Sequence, residues 1–376
     1  MVVKEIQAKS ILRKHKKVDS WFVSRYGMNL YRGCEHNCVY CDGRAEKYNV
    51  DGVFGKDIVV KTNAINLLKK ELDSRRKRIP LEPGYIMIGG GVGDSYQPIE
   101  KRYNLTRQTL ELLYNYDFPV HILTKSTLVE QDLDIIKKIN EKTKAVVSFS
   151  FSSVDDKISS VFEPGVPSPT KRLSTIKLFK SNGISCGMFL MPVIPFITDN
   201  PQKIEESVRK AKEADIDFII FSGMTLKQGR QKDYFYDNLR LNYPNLLAEY
   251  NYVYKDDKWG SAIAEYYESI HKTFSVISKK YKVPVRMPSY LFKNFLSQND
   301  LVVVILEQID YILKMNGKKS PYSYAAYSVS KLTEPISKIK GSLRQLKGVG
   351  PVTEKIILEI INTGSSPYYE KLMSFY

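Results

Sequence analysis

The sequence predicts an α/β fold on a parallel sheet, followed by a smaller, mostly helical region. Three observations predict it. Between residues 26 and 222, apolar or β-branched runs of strand length alternate with longer segments of helical period, the pattern of repeated strand–helix units. Glycine-bearing loops sit directly after the first two strands, at Gly33 and at Gly89-Gly90-Gly91. After Gly223 the alternation stops and long amphipathic helices take over.

Taken in order, residues 1–25 are polar and basic, a lead-in strap anchored by Ile11, Leu12, Trp21 and Phe22. Residues 26–33 alternate as a strand and run into a cysteine-bearing loop. Residues 63–78 place Ile65, Leu67, Leu68 and Leu72 on one helical face. Strands follow at 84–88, 119–123, 145–151, 184–191 and 217–222; helices fall between them at 100–114, 129–139, 170–182 and 201–214. Residues 228–254, rich in tyrosine and asparagine, are expected to cap the mouth. Residues 259–281 and 301–315 are amphipathic helices, the second stopped by Asn316-Gly317. The division expected is therefore 1–25 strap, 26–254 core with its cap, and 255–376 helical region. In parallel strand–helix barrels function sits on loops at the C-terminal ends of the strands, where the cysteine loop lies.

Composition narrows the partners. Net charge is +16 with pI near 9.3, and residues 1–78 hold 18 Lys and Arg against 9 Asp and Glu, including Arg75-Arg76-Lys77-Arg78. Such a surplus favours a polyanion, and 26 tyrosines add a stacking inventory. The longest apolar runs, such as 187–197, are too short and proline-broken to span a bilayer. Lys4, Lys9, Arg13 and Lys14 interrupt any signal-peptide core. The expectation is a cytoplasmic protein without a membrane partner, where thiols stay reduced.

Four cysteines exist, and three of them, Cys34, Cys38 and Cys41, fall at C-x3-C-x2-C. Thiolates this close repel one another unless a metal neutralises them. Zinc wants four ligands, normally as two separated pairs; here only His36 could complete the set. A cubane cluster normally takes four thiolates, so three would leave one iron open. A disulfide reading fails on the odd count.

C-x3-C-x2-C with an aromatic, Tyr40, before the last cysteine resembles the signature of the radical S-adenosylmethionine (SAM) superfamily. That resemblance implies a partial (β/α)6 TIM-like barrel, a 4Fe–4S cluster on the three cysteines, and SAM as cofactor, cleaved by one electron to a 5′-deoxyadenosyl radical. It also implies an electron donor such as ferredoxin or flavodoxin. Gly89, Gly90 and Gly91 stand where the family's bare backbone approaches the SAM amino group; the family's acidic residue there is missing, and Asp94 is the candidate substitute. Asp94-Ser95-Tyr96-Gln97-Pro98-Ile99-Glu100 with Leu105-Thr106-Arg107, and Phe162–Pro169 with Arg172, resemble the spore photoproduct lyase-like branch. On that resemblance Glu163 and Arg172 lie near SAM, Arg172 pairing with its carboxylate. Ser148, Ser150 and Ser152 share one face of the fourth strand and are candidate ribose or SAM contacts. Spore photoproduct lyases use a further cysteine as hydrogen donor; Cys186, the remaining thiol, reads as a buried core residue.

Near the end, Leu346-Lys347-Gly348-Val349-Gly350-Pro351 and the following apolar helix resemble a helix-hairpin-helix at about 336–362. Pro351 takes the first helical position, and Lys347, Gly348, Val349, Gly350 and Lys355 are candidate contacts to a nucleic-acid phosphate. The function expected is a radical SAM enzyme repairing or modifying a base, with DNA favoured over RNA. The alternatives are the same chemistry on RNA or a peptide, and a non-catalytic, metal-stabilised nucleic-acid-binding protein.

Overall fold

The computed structural model describes residues 2–48, 52–73, 75, 81–255 and 259–376. Its strands in chain order are β1 (Val3–Ile6), β2 (Arg13–Asp19), β3 (Ser24–Met28), β4 (Tyr31–Arg32), β5 (Ile58–Lys61), β6 (Tyr85–Ile88), β7 (Val120–Thr124), β8 (Ala145–Phe151), β9 (Ser185–Val193) and β10 (Phe218–Gly223). Six of them, β3, β6, β7, β8, β9 and β10, lie side by side in chain order and parallel, curled into a half-barrel. β2 adds an antiparallel edge beside β3, and β1, β5 and β4 form a separate three-stranded sheet. Helices Leu105–Asn115, Leu133–Lys142, Pro169–Ser181 and Pro201–Glu213 alternate with the parallel strands, and Ala264–Tyr281 packs behind β10.

The two faces of β8 show how sequence sets the layers. Phe149 and Phe151 point outward under helix Pro169–Ser181, with Phe149 edge-on to Phe179 at 6.4 Å. Ser148 and Ser150 point into the barrel, the period-two consequence of the pleat. At the N-terminal end of the strands the interior is closed by rings: Phe22 stacks on Phe189 at 5.1 Å, and His121 and Phe218 pack around them. His121 accounts for both its nitrogens there, one at 2.8 Å from Phe22 O and the other at 2.7 Å from Ser148 Oγ. Burial holds its pKa down to about 4, so it stays neutral.

The C-terminal helices share this core. Helix Gln298–Met315, capped by Ser297 Oγ on Asp300 N (3.2 Å), buries Val302 through Leu306 and Ile309. Nearly all its surface is covered, the mark of an interior helix. It packs on β2 and on helices Tyr322–Val329, Pro351–Thr363 and Pro367–Met373. Arg25 on β3 reaches Asp300 at 3.3 Å, and Tyr85 on β6 donates to Leu291 O.

Several elements differ from expectation. The strap is largely strand, because β2 pairs along its backbone and leaves its Lys and Arg outward. The first strand breaks after Met28, and Tyr31–Arg32 joins the other sheet. The helix expected at 100–114 divides at Asn104, which is left-handed (φ 50°). The first half of the one expected at 129–139 is a 3-10 turn, Thr127–Asp132. Helix Ala64–Leu72 stops at Asp73; of the basic run only Arg75 is described, Arg76, Lys77 and Arg78 lying outside the described residues. Helices Asp156–Phe162, Tyr322–Val329 and Pro367–Met373 were not expected.

Candidate active site

The cysteine loop leaves the small sheet at Gly33, whose φ is +83° and where a Cβ would meet Asp57 O at 2.5 Å. Only glycine fits that close approach. The loop then winds through successive turns, Asn37 N to Cys34 O, Cys41 N to Cys38 O and Arg44 N to Cys41 O. Side chains from distant elements grip its backbone. Gln97 accepts from Glu35 N at 2.9 Å and donates to Gly33 O; Gln231 donates to Tyr40 O at 2.9 Å. From within the loop, Arg44 donates back to Cys38 O at 3.1 Å, its guanidinium on the Tyr234 ring at 3.5 Å. A loop held this way presents its thiols in one arrangement.

Cys34 and Cys38 are buried and Cys41 half-buried. Burial pushes all three thiols up, Cys38 to about 12, and each of Cys34 and Cys38 is pushed further by its neighbours in the loop. Thiols raised by burial, with Cys34 raised further by Cys38 and Cys41 and Cys38 by Cys41, suit a bound cationic centre, which would favour their thiolates. Among the described residues no three of His, Cys, Asp and Glu converge as around a single ion. His36, the one candidate fourth zinc ligand, has its nitrogens on Gly165 O (3.0 Å) and Asp94 Oδ2 (3.1 Å). The donor set, thiols without a fourth partner, therefore fits an iron–sulfur cluster better than zinc. Cys186 lies apart, buried on β9 near Asp217 and Lys180, with its pKa raised by burial.

Beside the cysteines is a closed charge network. Glu163, 1% exposed, accepts from the Tyr40 hydroxyl, Ser152 Oγ (3.0 Å), Ser159 Oγ (2.9 Å) and the Arg172 guanidinium, with Lys125 Nζ at 3.3 Å. Burial opposes its charge, but Arg172 and Lys125 hold the carboxyl well below the usual range. Arg172 is wholly buried over the Phe151 ring, and its terminal nitrogens are committed to Glu163, Ser159 and Ser150 O. The direct pairing of Arg172 with a SAM carboxylate is therefore not what this geometry offers; Lys125, at the end of β7, is the cation that reaches forward. Its ammonium donates to Ser150 Oγ at 2.7 Å and stands 5.6 Å from the Tyr40 ring centre.

The glycine loop follows β6. Gly89 (φ +81°) lies against Leu123 O, whereas a Cβ at Gly91 would meet nothing within 4 Å. Asp94 turns inward: it accepts from Tyr96 N, Thr124 Oγ1, Lys125 N and His36. Burial works against its charge, but these donors keep its pKa low. It thus braces the glycine loop, the cysteine loop and β7. Of the serines, Ser148 is taken by His121, Ser150 by Lys125 and Met191 O, and Ser152 by Glu163.

The hairpin near the end is formed as the spacing predicted, with two corrections. Its first limb, Ile336–Gln345, is 3-10 and kinked at Ile339 and Ser342 rather than α-helical. Val349 is buried in the core and its N–H is bonded to Leu346 O, so it offers no free donor. Gly348 (φ +87°) presses on Tyr324 and Ala325, where a Cβ would come within 2.8 Å. Gly350 is the N-cap of helix Pro351–Thr363, in open space. Lys347 and Lys355 are exposed beside it.

Residues 28–211 match the radical SAM superfamily and residues 297–366 a helix-hairpin-helix domain. An uncharacterised protein of Mycobacterium tuberculosis is 30% identical over 258 residues, covering 67% of this chain and 73% of that one. The chain belongs to the radical SAM superfamily. An uncharacterised protein of Methanocaldococcus jannaschii is 33% identical over 225 residues, covering 59% of this chain and 77% of that one. Among solved structures, spore photoproduct lyase complexed with dinucleoside spore photoproduct superposes with a TM-score of 0.54 at 17% identity, covering 74% of this chain and 79% of that one. A mutant of the same lyase with bound AdoMet gives 0.52 at 19% identity over the same shares. The likeness shows a shared fold.

Membership in the superfamily implies SAM and an iron–sulfur cluster. It leaves unnamed the residues that sequence reasoning missed here: Lys125, Gln231 and Arg44. Only Lys125 had a signal, a basic residue directly after the C-terminal end of a buried strand.

Proposed function

We propose that this chain holds a 4Fe–4S cluster on Cys34, Cys38 and Cys41, binds S-adenosylmethionine beside it, and acts on a base in DNA. The observation that carries the reading is the gathering of the buried Cys34 and Cys38, the half-buried Cys41, Lys125 and the Glu163 network at the C-terminal mouth of a parallel half-barrel. When bound, the cluster supplies the electron that cleaves SAM to a 5′-deoxyadenosyl radical. The chain's own residues do the rest. Gly89, Gly90 and Gly91 leave bare backbone for the cofactor to approach, with open room at Gly91. Lys125 offers the cation for an anionic end, and Glu163 and Ser150 fix its ammonium. Asp94 keeps glycine and cysteine loops in register through His36 and Thr124.

DNA is favoured for two reasons. The tail presents a helix N-terminus flanked by Lys347 and Lys355, suited to a phosphate, and the fold is that of a lyase solved with a dinucleoside photoproduct. A duplex base would have to be flipped to reach the mouth. The test is anaerobic reconstitution with iron and sulfide, reduction, and assay for 5′-deoxyadenosine with damaged duplex DNA, RNA and peptide pools. SAM cleavage stimulated by DNA supports the reading, stimulation by RNA or peptide alone replaces the substrate, and a fully loaded cluster that cleaves no SAM removes the enzyme.

A further inference from the structure

Helix Tyr322–Val329 carries two large rings that the fold leaves in water. Tyr324 and Tyr327 are 64% and 60% exposed. They stand three residues apart, neighbours on one helical face. Other tyrosines of this region have structural roles. Tyr322 is buried; Tyr369 is buried and donates to Gln308 Oε1 at 2.7 Å, and Tyr376 meets Ser275 Oγ at 3.1 Å. Two bare rings on one face make a contact surface for something flat and apolar.

The surroundings set the charge of the partner. Residues 316–350 contain seven Lys and Arg against one acid, Glu334. All seven are exposed; Lys338 pairs with Glu334 and Arg344 with Glu354. Among the described residues, Lys318, Lys319, Lys331 and Lys347 have no carboxylate within ion-pair distance. Two of these border the rings. The Lys331 ammonium lies 4.8 Å from the Tyr327 ring centre. Lys347 is tied to the same helix by Ser328 Oγ, which donates to its carbonyl at 2.8 Å. Gly348 packs on Tyr324 itself, where a Cβ would stand 2.8 Å from the tyrosine Cβ. Rings and hairpin loop are therefore one surface, aromatic and cationic together.

Such a surface matches a nucleic-acid strand with unstacked bases. A duplex supplies phosphates for the lysines but keeps its base faces covered, leaving both tyrosines unused. We infer that Tyr324 and Tyr327 form a stacking platform for an unpaired strand. Each ring takes one base, while Lys331 and Lys347 hold the phosphates beside it. The inference rests on the nucleic-acid reading of the tail given above and narrows it. The tail engages a strand that is already open, from which a base reaches the mouth at least cost.

The test is fluorescence anisotropy of labelled oligonucleotides with the whole chain: oligothymidylate, oligouridylate and a blunt duplex. Tyr324→Ala and Tyr327→Ala are each expected to weaken single-strand binding about tenfold, with duplex affinity held within about twofold. Tyr324→Phe and Tyr327→Phe keep the ring and should bind the single strand as the parent does. Both positions are exposed, so Tm should stay within about 2 °C in all four variants. Tighter binding of thymidylate identifies a DNA strand as the source of the bases; tighter binding of uridylate identifies an RNA strand. Duplex affinity that falls as far as single-strand affinity, or single-strand affinity untouched by alanine, overturns the platform and leaves the tail's phosphate contacts standing. A chain that binds none of the three overturns both.

Discussion

At the scale of single residues, burial decides which charges matter. Glu163 and Arg172 are both wholly buried and answer each other. Arg172→Met removes one charge and leaves the other in the dark, which is expected to lower stability by about 3–5 kcal/mol. Adding Glu163→Gln should restore much of it, a coupling that denaturant titration of the double-mutant cycle reads directly. Glu100 behaves oppositely. Burial raises its carboxyl to about 7, against bonds from Tyr31 and Thr106 N. Because the folded pKa lies above the unfolded value, the contribution is present below about pH 4.5 and is lost as pH rises through about 7. Glu100→Gln should therefore flatten the fall in stability across that window, a difference of up to about 3 kcal/mol in pH-dependent urea melts. The cysteines were legible in the sequence because their spacing alone carries the signal. The surrounding grip was not: Lys125 and Gln231 meet the loop only across folds of chain that no local pattern encodes, and Arg44 turns back on Cys38 O only because of the way the loop itself winds.

At the scale of elements, strands and helices of the half-barrel were legible wherever one face is apolar throughout. β8 appears in the sequence with the bounds that the structure gives it, because its two faces have different chemistry. β2 escaped notice because an edge strand carrying Arg13, Lys14, Lys16 and Lys17 has no apolar stripe to betray it. Asn104 escaped because one left-handed residue splits a helix without disturbing its period. The hairpin near the end gives a contrast that can be measured. Gly348→Ala places a Cβ within 2.8 Å of Ala325 N at positive φ, and is expected to cost about 1–3 kcal/mol and to disturb DNA binding with it. Gly350→Ala enters open space and should leave stability within about 0.5 kcal/mol. Lys347→Gln with Lys355→Gln should weaken duplex binding uniformly across sequences and lower the slope of log affinity against log salt by about 2. An unchanged slope would mean that this hairpin packs against protein rather than phosphate.

At the scale of the whole molecule, the two family matches do not divide the core. A single apolar cluster runs from Ile11 and Val18 through the parallel strands to Val302, Ile309, Ile357 and Tyr369. Helix Gln298–Met315 lies inside it, tied to the barrel by Arg25 with Asp300 and by Lys17 with Glu307. A tail tethered only by a linker would melt on its own; one that completes the core cannot. We therefore expect one calorimetric transition for the full chain, with equal calorimetric and van't Hoff enthalpies. Truncation after residue 296 would strip the cover from β2 and from the strand ends behind it. That fragment should bind hydrophobic dye and aggregate even though every cysteine and the whole mouth remain in its sequence. A soluble fragment that still loads iron with the full chain's Tm would show instead that the half-barrel stands alone and that the tail is an added module.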